Sequence, residues 1–200
     1  MIRVSLAVTL VLALAALTVA PARADTWRFD PDHTQIRVSW NHLGVSRQGA
    51  SFTRAYGTLE FTPTDPTRGR VEVTIPVDGL TTGNAAFDKH LKSNDFFGAE
   101  THPYIKFTST AVRQTGPRTG VVVGDLTIRD VTKPVELNVT WNYTGEHPLA
   151  AVNPVYEGRW VSGFSASTMI ARSDFGIGRG APLVSDDVEI RIEAEFLRRK

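Results

Sequence analysis

The chain has 200 residues, with 22 basic and 21 acidic side chains and no cysteine. So even a balance offers no basic face for nucleic acid. Without cysteine there is no thiol nucleophile, zinc–thiolate site, lipoprotein anchor or disulfide, so an exported form must be held together by its core alone.

The first element in chain order reads as a leader rather than as part of the fold. Arg3 precedes an almost wholly apolar run, Val4 to Ala20, and Ala22-Arg23-Ala24 has the small-x-small pattern of a signal peptidase site. Residues 1–24 are therefore expected to be a cleaved secretory signal, with Asp25 first in the mature chain. The alternative is an uncleaved anchor, but the run is short beside the roughly 20 residues of a spanning helix. Cleavage would remove two arginines and move the formal charge from +1 to −1. Residues 25–200 are expected to form one domain with its own core and no further membrane span.

From there the dominant hydrophobic period is two, the signature of strands with one apolar and one wet face. Strands are predicted at 26–29, 34–40, 51–61, 71–77, 104–112, 119–129, 137–143, 160–172 and 188–196. Val71, Val73, Ile75 and Val77 share one face, as do Leu137, Val139, Trp141 and Tyr143, and Val188, Ile190, Ile192, Ala194 and Phe196. Turn signals such as Asp30-Pro31, Asp65-Pro66 and Gly116-Pro117 separate the runs. With eight or nine closely spaced strands and almost no helix, an antiparallel barrel or sandwich is expected.

An eight-stranded barrel can be filled by its own side chains or hold one small ligand. On 104–112, Ile105, Phe107, Ser109 and Ala111 taper from large to small along one face. On 162–171, Gly163, Ser165 and Ser167 share a face, and Phe164, Ala166, Thr168 and Ile170 share the other. Small residues facing inward would leave room; equally, they could accommodate bulky neighbours in a packed core.

One stretch breaks the strand pattern. Thr82-Gly83-Asn84 is a helix start, Phe87 and Leu91 lie one turn apart, Lys89 and Lys92 face elsewhere, and Phe96, Phe97 and Gly98 follow. The pattern predicts a short amphipathic helix with an aromatic tail, closing one end of a barrel.

Motifs of chemistry are weak. Asp174-Phe175-Gly176 lacks the other parts of a kinase, and Gly176-Ile177-Gly178-Arg179-Gly180 is followed by Pro182 rather than a helix. Gly163 to Ser167 lacks the second glycine of a nucleophile elbow. The five histidines, His33, His42, His90, His102 and His147, show no metal-clip spacing. Asp32 and His33 are strand neighbours pointing to opposite faces, and Asp88 and His90 are two apart on a helix. No catalytic residue, metal or cofactor is therefore expected.

Several runs together resemble the YceI family. They are Asp88 to Ser93 with Asp95-Phe96-Phe97, His102 to Ser109, Gly124 to Ile128, and Val131 to Val135. Asp32-His33-Thr34, Asn41 to Ser46, and Phe52 before Tyr56-Gly57-Thr58-Leu59 fit as well, as do Gly163-Phe164, Arg172, Asp174-Phe175 and Val188 in order. The resemblance is collinear over 25–197. It implies an all-β, lipocalin-like antiparallel barrel of about eight strands in the periplasm, or secreted beyond it, without catalysis or metal. It implies that a long-chain apolar lipid, an isoprenoid or acyl chain, occupies the interior. The ligand would be lined by Phe52, Phe61, Ile75, Leu91, Phe96, Phe97, Phe107, Leu126, Phe164 and Ile170. Two departures stand out. Asp130 occupies a turn position where the family usually has glycine, and 144–158 looks long enough to alter one rim. Rival readings are a packed structural or stress-response barrel, and an enzyme acting on lipid with His90 or His33 as base. A homodimer is compatible with all of them.

Overall fold

The alternating apolar runs become ten strands and one α-helix in the computed structural model, which describes residues 24–199. They are β1 (Asp25–His42), β2 (Ser46–Phe52), β3 (Tyr56–Phe61), β4 (Arg70–Pro76), β5 (Leu80–Thr81), α1 (Ala85–Lys92), β6 (Tyr104–Gln114), β7 (Thr119–Ile128), β8 (Val131–Glu146), β9 (Arg159–Ala171) and β10 (Val184–Arg199). Hydrogen-bonded neighbours run β10-β9-β8-β7-β6-β4-β3-β1, and β1 pairs with β10 to close the ring. The result is an eight-strand antiparallel barrel, whose closure leaves no free edge around that ring. The predicted leader falls almost wholly outside the described residues.

β1 makes the barrel asymmetric. The predicted strands 26–29 and 34–40 are one 18-residue strand, irregular between Asp30 and Gln35 where its register on β10 shifts. One neighbour cannot cover so long an edge. Asp25 to Arg28 pair with β3, while Ile36 to His42 pair with β2. The chain therefore leaves β2 and re-enters as β3, and the predicted strand 51–61 is broken at Thr53–Ala55. Thr53 N–H there donates to Gly79 O at 2.9 Å. Short β5 pairs with β2, outside the ring order.

Two irregularities revise the sequence expectation of which residues face inward. The β6–β7 register shifts between Ser109 and Ala111, so Ala111 is exposed and Val112 turns in. The β8–β9 register shifts between Trp141 and Tyr143. Leu137, Val139 and Trp141 face the interior, but Tyr143 stands outside, its hydroxyl donating to Glu146 O at 2.9 Å. An extra residue in one strand reverses every alternation beyond it.

The helix forms where predicted. Asn84 caps it, its Oδ1 accepting from Ala86 N and Phe87 N at 3.0 and 3.2 Å. Asp88 lies in the first turn and His90 and Lys92 in the last, matching the helix dipole. Residues 93–99 then fold back on the helix. Phe97 N–H donates to Leu91 O at 3.0 Å and Ala99 N–H to Lys92 O at 2.9 Å, satisfying carbonyls that a helix end leaves free. Gly98, at φ +60°, makes this reversal in a region that disfavours side chains.

Candidate functional site

Inward-facing residues of all eight ring strands enclose a cavity of about 420 Å³, within the usual range for a small-molecule site. Its walls are almost wholly apolar. Phe52, Phe61, Ile75, Leu91, Phe96, Phe97, Phe107, Leu126, Phe164 and Ile170, singled out from sequence, all line it. On β9 the inward face is Phe164, Ala166, Thr168 and Ile170; the small residues Gly163, Ser165 and Ser167 are on the other side. Room inside therefore does not come from the glycine and serine stripe. Ser165 Oγ is instead engaged with Asn142 Nδ2 at 2.9 Å and with the Glu193 carboxylate.

One end is covered by α1 and its tail. Leu91 is only 8% exposed. Phe87 meets Trp40 edge-to-face at 6.2 Å, and Phe97 meets Phe52 at 6.0 Å. Asp88 fastens the helix to the preceding chain. It accepts from Thr82 N and Thr82 Oγ1, both at 2.6 Å, and from Thr81 Oγ1 at 3.0 Å. The Thr82 hydroxyl, aided by its backbone N–H, holds this carboxyl below the usual carboxylate range. Lys92 is less free than its spacing suggested: it is half-buried, and its Nζ donates to Asp78 O at 2.8 Å.

Beside the helix, the 172–185 segment is wound around one guanidinium. Arg172 is buried, and its Nε and Nη groups donate to the carbonyls of Ser185, Ile177, Arg179 and Val184. Four carbonyls of a loop are thereby satisfied from within, an arrangement lysine could not reproduce. Asp186 ties the same loop by accepting from Ser173 N and Oγ. Its carboxyl is held below the usual range, chiefly by the Ser173 hydroxyl.

The far end is bridged by aromatics. In the ring order β3 and β8 lie opposite each other. Phe61 on β3 reaches Trp141 on β8, ring centroids 5.3 Å apart, and also Phe164 on β9 at 5.3 Å. Trp27, fully buried, supports this bridge by donating from Nε1 to Phe61 O at 3.0 Å. The cavity continues past the bridge to Pro66, Gly69, Arg70, Gln114 and the β6–β7 turn, where Gly116 to Thr119 line it. No residue of 144–158 lines it, so that segment does not alter the rim. Instead it packs on itself, His147 stacking on Tyr156 at 3.8 Å.

Several acid–base groups have local partners. His33 Nδ1 lies 2.9 Å from Asp30 Oδ2, not beside Asp32. Asp30 is buried and also accepts from Asp32 N at 3.0 Å. This hydrogen bond to Asp30 raises the His33 pKa above its ordinary 6.5. Spacing alone missed the pair because β1 is irregular here. Glu195 lies close enough to make a three-residue group with ligand atoms within 4.8 Å of one another. None of the three lines the cavity. His90 borders the cavity but packs on rings, Phe96 at 4.8 Å and Phe87 at 6.4 Å. Asp130, the departure from glycine, sits 3.2 Å from His102 Nδ1, and its neighbour Arg129 takes the left-handed φ of +57°.

A closed antiparallel barrel with an apolar interior and a helix across one end is lipocalin-like in architecture. Within that class the chain belongs to the YceI family: the model of the YceI-like domain matches residues 27–196. A UPF0312 protein of Pseudomonas putida (strain W619) is 34% identical over 187 residues, covering 92% of this chain and 93% of its own. Another, from Photorhabdus laumondii, is 35% identical, covering 92% of each. Among solved structures, the Campylobacter jejuni YCEI protein superposes at TM-score 0.69 with 27% identity, over 80% of this chain and 90% of that one. Burkholderia cenocepacia BcnA shares the fold at TM-score 0.73 and 22% identity, over 84% and 98%. So does a domain from Saccharophagus degradans described as polyisoprenoid-binding, at 0.61 and 12%, over 88% and 98%.

Proposed function

We propose that this protein binds a long-chain apolar lipid, an isoprenoid or acyl chain, in the barrel interior and performs no chemistry on it. The observation that carries the reading is the cavity of about 420 Å³, walled by Val, Ile, Leu and Phe along the length of the barrel. Each methylene transferred from water to such walls contributes about 0.8 kcal/mol, so a long chain needs no polar contact to be retained. The description of the Saccharophagus domain supports the same ligand class. The packed-barrel reading leaves the cavity without a role. Against the enzyme reading, Asp88 and Asp30 are already occupied by local donors, and His90 rests on aromatic rings. The compartment is read as the periplasm, on the strength of Arg3, the Val4 to Ala20 run and Ala22-Arg23-Ala24.

Native mass spectrometry and organic extraction of protein purified from its own host test this directly. A co-purifying lipid in near-stoichiometric amount is expected. A barrel that is consistently empty, and that takes up no prenyl or acyl chain on incubation, would refute the reading. N-terminal sequencing of the same preparation is expected to start at or near Asp25; a chain retaining residues 1–24 in the membrane fraction would refute the location.

A further inference from the structure

The cavity is apolar along the barrel and carries charge only towards its ends, and that charge has one sign. Arg172 and Arg179 border it near the helix, beside His42 and His90, and Arg118 borders it at the opposite end, where Arg70 begins β4 with its side chain on the outer face opposite Glu60; no Asp or Glu lines it. Near the helix both arginines are committed. Arg172 is spent on loop carbonyls, and Arg179 is paired with Asp95. At the other mouth, Arg118 has no carboxylate partner among the described residues.

Arg118 is also held in place there. Its Nη1 donates to Asn142 O at 2.8 Å, and its guanidinium carbon lies 5.7 Å from the centroid of Trp141, itself a lining residue. A guanidinium fixed by one amino group and one ring face keeps its remaining N–H donors for something else. Arg118 is exposed, so an ion bound to it stays in reach of water and escapes the penalty of a buried charge.

We propose that this mouth, between the β6–β7 turn and the segment 66–70, receives the anionic head group of the bound lipid, a phosphate ester or a carboxylate, while the chain runs inward past Phe61 and Trp141. This rests on the lipid-binding reading and adds to it the chemistry of the head and the direction of the chain. Guanidinium is suited to the role because its planar fork meets phosphate or carboxylate oxygens with paired hydrogen bonds.

The test uses farnesyl phosphate, farnesoate and farnesol, which share a chain and differ at the head. Each is titrated below its micelle concentration into the delipidated protein and followed by tryptophan fluorescence, since Trp40 and Trp141 line the cavity. The wild type is expected to bind at least one anion about tenfold more tightly than farnesol, the scale of one charge-assisted hydrogen bond kept in solvent. The Arg118→Gln variant is expected to lose that preference while binding farnesol as before, which also shows that it is folded. Arg113→Gln, outside the cavity, is expected to keep it. Whichever anion is preferred identifies the head. Equal affinity for all three lipids in the wild type overturns the head-group inference and leaves lipid binding standing. A preference that survives in Arg118→Gln, or is lost in Arg179→Gln instead, overturns it too. If none of the three binds, the lipid-binding reading itself falls.

Discussion

Leu91 offers the sharpest measure of whether α1 closes the barrel. It is 8% exposed, and it belongs to the main core cluster with Phe52, Leu80 and Phe107 while one side borders the cavity. Leu91→Ala removes three carbons, worth about 2.4 kcal/mol at about 0.8 kcal/mol for each. Truncation in a packed core adds a void term, for a usual total of about 2–5 kcal/mol. Here the void already exists on one side, so fewer contacts are lost and the total should fall near about 2.5–3 kcal/mol. For a chain of this length that is a drop in Tm of about 5–12 °C. Leu91→Lys should cost more, because it directs an ammonium without a partner into apolar surroundings. Lys89, exposed on the same helix, supplies the control, and Lys89→Gln should stay within about 0.5 kcal/mol. Lys92 is a poorer control, since its Nζ already serves Asp78 O. The assay is thermal unfolding by circular dichroism on delipidated samples, with extractable lipid measured on parallel preparations. Lower lipid content in Leu91→Lys is expected alongside the lower Tm. A Tm unchanged by Leu91→Lys, or an equal shift from Lys89→Gln, would show that this segment is a solvated loop.

Two further outcomes follow from particular contacts. The β6 irregularity predicts that Val112→Asp places a carboxylate in the cavity and lowers lipid retention in a loading assay, whereas Ala111→Asp, one residue away, leaves it unchanged; the opposite pattern would mean that the strand alternates without a bulge. The His33–Asp30 hydrogen bond raises the folded pKa of His33 above 6.5, so the folded state holds this proton more tightly than the unfolded chain. Its stabilisation is present in full below the unfolded value and disappears as pH rises through the folded one. Urea unfolding at about pH 5.5 and about pH 8.5 should therefore show a loss towards alkaline pH that is smaller in His33→Gln, and an identical loss in both proteins would discard the contact as a stabilising one.

Much of this molecule is written locally. Strand alternation depends only on successive side chains pointing to opposite faces, so Val71, Val73 and Ile75 or Ile190, Ile192 and Ala194 declare their inward face without reference to any neighbour. The helix is equally local: Asn84 caps it and Gly98 turns it, each through hydrogen bonds or dihedral angles within a few residues. That is why all ten apolar residues singled out from sequence lie on the cavity wall. What tertiary structure decided involves partners far apart in sequence. β1 shares one edge between β2 and β3 because ring closure with β10 fixes its length, and no local pattern reveals that break. The bulges at Ser109–Ala111 and Trp141–Tyr143 depend on register against β7 and β9, so the faces of Ala111, Val112 and Tyr143 could not be read from period alone. Arg172 became a loop staple only because the 177–185 carbonyls curl round it, and the Phe61–Trp141 bridge exists only because closure sets β3 opposite β8. Side-chain direction is a property of the residue and its neighbours; register and ring closure are properties of the whole sheet, decided by which pairing buries the most apolar surface with every backbone group bonded.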